Sequence, residues 1–306
     1  TYAEWLARWP RWNDRIAAMG PWAVSRLAPR WRPRCTVVGD LMADLGDRAR
    51  REAPLPPGEW VALLPGSKRA KLLVGVPFLL ETADRLAALR PGCRLLLPLA
   101  PTTSLAELLH GAGAANPIAR AYGSGVPRPV PSERLERDGV ALITPAGTRI
   151  ELLRAAPAHG HLSQCALALT TVGANTAELA ALGVPMLVLV PTQHPEVMRA
   201  WDGLAGWLAR LPGLGRLLGL VLTRWRLRRQ VLLALPNIHA GRLLVPERVG
   251  TITPRQIAAE SADWLARPER LETMRQELRG LRGGGGAVEA LAGLVRELLP
   301  PDAGDS

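Results

Sequence analysis

Lysine is almost missing from this chain. Lys68 and Lys71 are the only two among 38 basic residues, and the remainder are arginine. Phenylalanine occurs once and tyrosine twice, and aromatic residues make up 4% of the chain against a hydrophobic fraction of 48%. So aliphatic a composition argues against a β-sandwich and for an α/β protein rich in Leu and Ala. Cysteine is scarce: Cys35, Cys93 and Cys165 are odd in number and share no CxxC spacing. That excludes a disulfide framework and leads us to expect free thiols in a reducing compartment. Long uncharged apolar runs are lacking too. Between residues 196 and 234, Asp202, Arg210, Arg216 and Arg224 interrupt every stretch that approaches the ~18–20 residues of a spanning helix. No signal-peptide pattern opens the chain. Its first residue is Thr1 rather than Met, which reads as an excerpt of something longer.

What is present is positive charge. The formal balance of +11 favours acidic partners, namely phosphates, anionic lipid headgroups or nucleic acid. The basic residues are spread along the chain without a DNA- or RNA-reading motif, so no nucleic-acid partner is expected. Residues 1–34 interleave Trp5, Trp9, Trp12, Trp22 and Trp31 with Arg8, Arg11, Arg15, Arg26, Arg30, Arg32 and Arg34. Trp5, Trp9, Trp12 and Ile16 would share one helical face, with Pro10 splitting the segment into two short helices. This pattern suits a membrane-interfacial segment. It suits equally a helix whose Trp stripe packs into another domain.

At 306 residues there is room for one large domain or two modest ones. We divide the chain into a Trp/Arg-rich segment and linker over 1–56 and a Rossmann-like domain with C-terminal helices over 57–306. Cys35–Gly39 reads as a short strand, and Pro54, Pro56 and Pro57 mark the linker. Strands are expected at Trp60–Leu64, Leu95–Pro98, Val140–Thr144, Ala166–Thr170 and Met186–Val190. Helices are expected from the 65–68 loop to about Leu89, and at Leu105–His110, Ile150–Ala156 and Asn175–Leu182. Residues 113–139 read as loop-rich, with Gly and Pro throughout, and Pro254 to Leu299 as helical with a hinge at Gly283–Gly286. Strands alternating with helices imply a parallel sheet with right-handed crossovers.

Three blocks carry chemistry. In Pro65-Gly66-Ser67-Lys68 a buried strand turns into a helix, and backbone N–H groups, the Ser67 hydroxyl and the Lys68 cation favour a pyrophosphate. In Gly173-Ala174-Asn175-Thr176-Ala177-Glu178 a helix N-terminus supplies a positive dipole. Asn175 or Thr176 either caps it or donates to phosphate, and Glu178 lies one turn in. In Pro236-Asn237-Ile238-His239-Ala240-Gly241-Arg242, followed by Pro246-Glu247, Pro236 and Gly241 bracket a rigid turn. Asn237 offers a paired donor and acceptor that either reads a uracil edge or holds the loop, and Arg242 can reach phosphate or sugar. His239 reads as packing or solvent-facing. His159-Gly160-His161 with Cys165 invites a metal, but no fourth ligand is apparent, and neither metal nor cofactor is expected.

These blocks resemble the nucleotide-binding half of the lipid-A-disaccharide synthases, GT-B glycosyltransferases that move an acylated glucosamine from UDP to a lipid acceptor. The likeness runs from about Val37 to the C-terminus and is sharp only in the blocks quoted. It implies a GT-B-type Rossmann-like domain with donor contacts at Gly66, Ser67, Lys68, Gly173, Asn175, Thr176, Glu178, Asn237, Gly241, Arg242 and Glu247, the Glu178 carboxylate meeting ribose. It also implies a UDP-sugar donor, a lipid acceptor, a peripheral place on the cytoplasmic side of the inner membrane, and a homodimer. Where the family usually shows Gly-Ser-Arg, this chain has Lys68, and Arg69 is the nearest substitute. Asp40 and Asp44 sit in a block resembling the family's Gly-x-x-Met-Ala-Asp stretch. In the family a separate N-terminal domain binds acceptor and supplies the general base, and only residues 1–56 stand in its place. No catalytic base can be named, so the chain by itself is expected to bind donor and turn over poorly. A related transferase with another lipid acceptor, or an inactive nucleotide-sugar-binding module, fits the same residues.

Overall fold

The computed structural model describes residues 15–18, 20–25, 27–39, 41, 54–123, 125–194, 232–281 and 286–299. The Rossmann-like domain is organised by an eight-stranded sheet in the order β10-β9-β8-β3-β4-β7-β6-β5. Its strands are β3 (Glu59–Leu64), β4 (Cys93–Pro98), β5 (Arg128–Ser132), β6 (Gly139–Ile143), β7 (Arg149–Leu153), β8 (Leu167–Thr171), β9 (Met186–Pro191) and β10 (Glu247–Gly250). From β10 to β7 every neighbouring pair is parallel, and β6 alone runs against its neighbours. Two short strands, β1 (Ile16–Ala18) and β2 (Cys35–Val37), pair in parallel by themselves.

Among the described residues the α-helices are α1 (Pro21–Ser25), α2 (Arg69–Leu89), α3 (Leu105–Ala112), α4 (Pro117–Tyr122), α5 (His159–Leu162), α6 (Ala174–Ala181), α7 (Leu235–Ala240), α8 (Pro254–Leu265), α9 (Pro268–Leu281) and α10 (Ala287–Leu298). Strand alternation sends Val61, Leu63, Leu95, Leu97, Leu167 and Leu169 into one core, beneath α2 and α8. It sends Trp60, Ala62, Leu64, Leu96 and Ala168 into a second, beneath α6 and α9. Both faces of these strands are covered, which is why they read as continuous apolar runs. Local chemistry punctuates the helices: Ser104 with Glu107 opens α3 and Thr253 with Gln256 opens α8, each as a reciprocal capping box.

The expected α/β class and parallel sheet are as read, and three local expectations are corrected. Residues 150–156 do not form a helix. Arg149–Leu153 is a strand that hairpins from β6 through a turn closed by Thr144 N–H donating to Thr148 O at 3.0 Å. Ile150 and Leu152 join the first core and Leu153 the second. The buried Glu151 between them accepts from Ser132 Oγ at 2.6 Å and Arg149 Nε at 2.7 Å. Five residues with three apolar and two charged side chains are ambiguous by periodicity, and neighbouring strands supply the partners that decide it. The 113–139 stretch is not all loop. It holds α4, capped by Asn116, and β5, whose Pro129 and Pro131 are tolerated because β5 is the outermost strand. Ile16 stands in β1 rather than on a helix with Trp5, Trp9 and Trp12, which lie outside the described residues. Most of the 196–234 stretch also lies outside them. Among the described residues no helix is long and apolar enough to cross a membrane.

Candidate functional site

After β3 the chain proceeds by α2 to β4 on one side of the sheet, and β8 returns on the other side of β3. In an open parallel sheet the crevice at the carboxyl ends of strands that diverge in this way is where ligands bind. A cavity of about 490 Å³ lies there. Its walls are Leu64 to Ser67 after β3, Pro98 to Pro101 after β4, Ala155 to Ala158 after β7, and Asn175 and Glu178 of α6, with Leu162 behind.

The β3–α2 turn is shaped by backbone demands. Gly66 has φ +98°, a left-handed conformation that a side chain would strain. Gly75, inside α2, permits close approach of helix to turn, since a Cβ there would stand 2.5 Å from Pro65 O. Thr103 Oγ1 donates to Ser67 O at 3.3 Å and ties the turn to the loop after β4. Lys68 is the N-cap of α2 and makes no side-chain cap, and its side chain is exposed. Helix α6 also starts without a side-chain cap, at Gly173. The first N–H groups of an α-helix have no carbonyl partner in their own helix, and they carry its positive dipole end.

The two turns are joined by a residue the motif reading did not assign. Lys71, in the first turn of α2, donates from Nζ to Val172 O at 2.7 Å, spanning from the β3–α2 turn to the β8–α6 turn. A Cβ on Gly66 would lie 2.9 Å from Lys71 Cδ, and one on Gly173 would lie 3.0 Å from Lys71 Nζ. Both glycines thus leave room for this side chain. The signal was available: Lys71 is one of two lysines, one helical turn beyond the Gly66-Ser67-Lys68 block.

Glu178 stands in the cavity wall and meets a partner that the sequence did not assign to it. His159 Nε2 lies 2.9 Å from Glu178 Oε1, with the histidine side chain 13% and the glutamate side chain 29% exposed. The two histidines of the His-x-His pair go different ways. His161 is buried, and burial lowers its pKa. Cys165 Sγ donates to His161 O at 3.6 Å, and burial pushes this thiol up to about 12. Among the described residues no group of three or more His, Cys, Asp or Glu side chains is arranged to hold a metal.

The remaining predicted residues form scaffolding beside the cavity rather than its lining. Thr176 is fully buried, donates to Gly173 O at 2.8 Å and accepts from Leu235 N–H at 3.3 Å. The expected rigid turn at Pro236–Gly241 is the short helix α7, with Pro236 in its first turn and Gly241 left-handed at its C-cap. Asn237 is fully buried within it. Its Nδ2 donates to Val245 O at 2.8 Å and Glu247 Oε1 at 2.7 Å, and its Oδ1 accepts from Leu244 and Val245 N–H at 2.8 Å each. An amide so committed holds the loop and presents no edge to a base. Glu247 also accepts from the N–H groups of Leu233 and Ala234. Arg242 turns outward to Glu277 of α9 at 2.7 Å. His239 is half-buried on α7, and Asp40 and Asp44 lie outside the described residues.

No family model matches the chain. It is similar to the lipid-A-disaccharide synthase of Myxococcus xanthus, at 30% identity over 246 residues covering 79% of this chain and 49% of that protein. The synthase of Geobacter metallireducens is 26% identical over 297 residues, covering 94% of this chain and 62% of that protein. That of Trichlorobacter lovleyi is 28% identical over 300 residues, covering 94% and 63%. The chain therefore spans about half to three fifths of the length of these relatives. A putative UDP-N-acetylglucosamine 2-epimerase from Listeria monocytogenes superposes with TM-score 0.51 at 16% identity, over 96% of this chain and 62% of that one. An S. aureus MnaA–UDP co-structure superposes with TM-score 0.50 at 14% identity, over 96% and 64%. At such identities the likeness is one of fold. Over the length that it spans, the chain is a relative of the lipid-A-disaccharide synthase family, built on a GT-B-type Rossmann-like domain.

Proposed function

We propose that this chain holds the UDP-sugar donor for a glycosyl transfer of the lipid-A-disaccharide synthase type, in which an acylated glucosamine passes from UDP to a lipid-linked sugar. The observation that carries the reading is the convergence of two uncapped helix starts, α2 and α6, with the Glu178 carboxylate at one crevice of about 490 Å³. Diphosphate suits the helix ends and the Lys71 bridge, and ribose hydroxyls suit the carboxylate. UDP is the ligand of the S. aureus co-structure, a protein of the same fold, and so is the first to test. The donor needs no metal or cofactor in this reading.

Calorimetry with UDP tests it. Glu178→Ala is expected to weaken binding by about 1–3 kcal/mol, the value of a hydrogen-bonded charged group. Lys71→Met is expected to weaken it more than Lys68→Met, because the Lys71 side chain spans from the β3–α2 turn to the β8–α6 turn. Unchanged affinity in Glu178→Ala removes the carboxylate from the site.

A second reading, a nucleotide-sugar-binding module without turnover, is favoured by one observation. Among the described residues Glu178 is the one ionisable side chain in the cavity lining, and it is already paired with His159. An inverting transfer needs a base in line with the leaving UDP, and this wall offers none that is unpaired.

The acceptor and the membrane belong to the same proposal. The Trp- and Arg-rich stretches at 1–34 and 201–229 would dock the protein peripherally on an anionic cytoplasmic leaflet, each basic residue near the surface contributing about 1 kcal/mol. Co-sedimentation with phosphatidylserine-containing vesicles should fall as salt rises, since the attraction is screened. Equal pelleting with neutral vesicles would count against it. A homodimer is proposed on the family likeness alone.

A further inference from the structure

We propose that His159 is a positioning residue, one that presets the Glu178 carboxylate so that the site selects a ribonucleotide over a 2′-deoxyribonucleotide. The inference rests on the donor reading above and adds to it a residue and a selectivity. Glu178 sits on α6 with its side chain 29% exposed, and a glutamate in that setting, left alone, samples several rotamers. His159 removes that freedom by holding Oε1 from Nε2 at 2.9 Å, which leaves Oε2 for a ligand.

The backbone that carries the imidazole is held in place. His159 is the first residue of α5, only 13% exposed. Its carbonyl accepts from Ser163 N–H at 2.9 Å, and Ser163 Oγ donates to Gly160 O at 2.9 Å. The preceding Ala158 and the buried Leu162 of the same turn both line the cavity. The ring is therefore carried on a segment that forms the crevice wall facing α6, and the place of that segment is set by the fold rather than by a ligand. A carboxylate ordered before the nucleotide arrives pays its ordering cost in folding and not in binding. A site built to hydrogen-bond a hydroxyl also rejects the analogue lacking it, because the waiting acceptor is left unpaired. Selection for the 2′-hydroxyl should thus depend on His159 although His159 need not touch the nucleotide.

The test compares the affinities of UDP and 2′-deoxy-UDP by calorimetry, with melting temperature as the control for folding. The wild-type chain is expected to prefer UDP by about tenfold, one charged hydrogen bond. Glu178→Ala should abolish the preference. His159→Ala should reduce it to about twofold or less, through loss of UDP affinity with 2′-deoxy-UDP affinity nearly unchanged. His159→Gln, whose amide offers an N–H donor in place of Nε2, should restore most of it and serves also if His159→Ala folds poorly. The double variant His159→Ala/Glu178→Ala should lose no more than Glu178→Ala. A wild-type preference in His159→Ala overturns the proposal, and so does an equal loss for both nucleotides, which would make the pair a mere staple between α5 and α6. Failure of the wild-type chain to bind UDP, or a preference that survives Glu178→Ala, overturns the donor reading itself and this inference with it.

Discussion

Replacing Asn237 with alanine is expected to lower the unfolding free energy by about 3 kcal/mol, read as a fall in the urea midpoint with an unchanged slope. The side chain is fully buried and makes four hydrogen bonds. Alanine would leave the N–H groups of Leu244 and Val245 without their acceptor and Val245 O without its donor. Each buried group so stranded costs about 1–3 kcal/mol, only part of which relaxation and water entry recover. Glu247 keeps the N–H groups of Leu233 and Ala234, so its carboxylate is not orphaned. Asn237→Asp separates the two halves of the amide. It retains the acceptor for Leu244 and Val245 but sets a carboxylate where Nδ2 lay 2.7 Å from Glu247, so it too should destabilise. Because Asn237 is spent inside the loop, UDP affinity of the folded Asn237→Ala protein should fall less than that of Glu178→Ala. A stability loss below 1 kcal/mol, or a larger effect on UDP than that of Glu178→Ala, would return Asn237 to the ligand's side.

Gly75→Ala is expected to destabilise the domain by about 2 kcal/mol and to weaken UDP binding about tenfold, from a single methyl group remote in sequence from the Glu178 block. Helix propensity alone predicts the opposite sign, since alanine is favoured over glycine in a helix interior by about 1 kcal/mol. The methyl would meet Pro65 O at 2.5 Å, Pro65 Cα at 3.0 Å and Pro65 C at 3.1 Å. All three are backbone atoms, which cannot swing aside as a flexible side chain can. Either α2 lifts from β3, or the Pro65-Gly66-Ser67 turn is pushed along the crevice it lines, and both should harm the site. Gly293→Ala is the control. It lies in α10 with open space at the Cβ position, and should stabilise by about 0.5–1 kcal/mol with no effect on UDP. A stabilised Gly75→Ala protein with undiminished UDP affinity would show that the helix and the turn are not in hard contact.

Much of the fold was legible in the residues. The alternation of apolar runs with helical periodicity placed β3, α2, β4, α3, β8, α6 and β9 within a few residues of where they lie, because both period and punctuation are local properties. The errors also have local causes. Arg149–Leu153 is too short for period 2 and period 3.6 to differ decisively, and it became a strand because β4 and β6 offered ladders on both sides. Prolines at 129 and 131 argued for loop until the strand was seen to be the sheet edge.

The site divides in the same way. Gly66, Ser67, Asn175 and Glu178 could be chosen from sequence because a strand that turns into a helix places its turn residues at fixed offsets, and these four do line one cavity. Partner choice is different in kind. Lys71 reaches Val172 across 101 residues, Glu178 is met by His159 from a helix that precedes its own strand, and Arg242 is drawn off by Glu277, 35 residues on. Asn237 offered the same amide to a base or to its own loop, and in the fold it is buried and bonded to Val245 and Glu247. The sequence by itself determined the element order, the parallel sheet and the turns that face the crevice, since these follow from spacing along the chain. Only the tertiary structure decided which side chains stay available to a ligand and which are consumed in holding the frame. A hydrogen bond or an ion pair is set by distance in space, and the sheet order that brings β8 beside β3 is not written in the spacing of either strand.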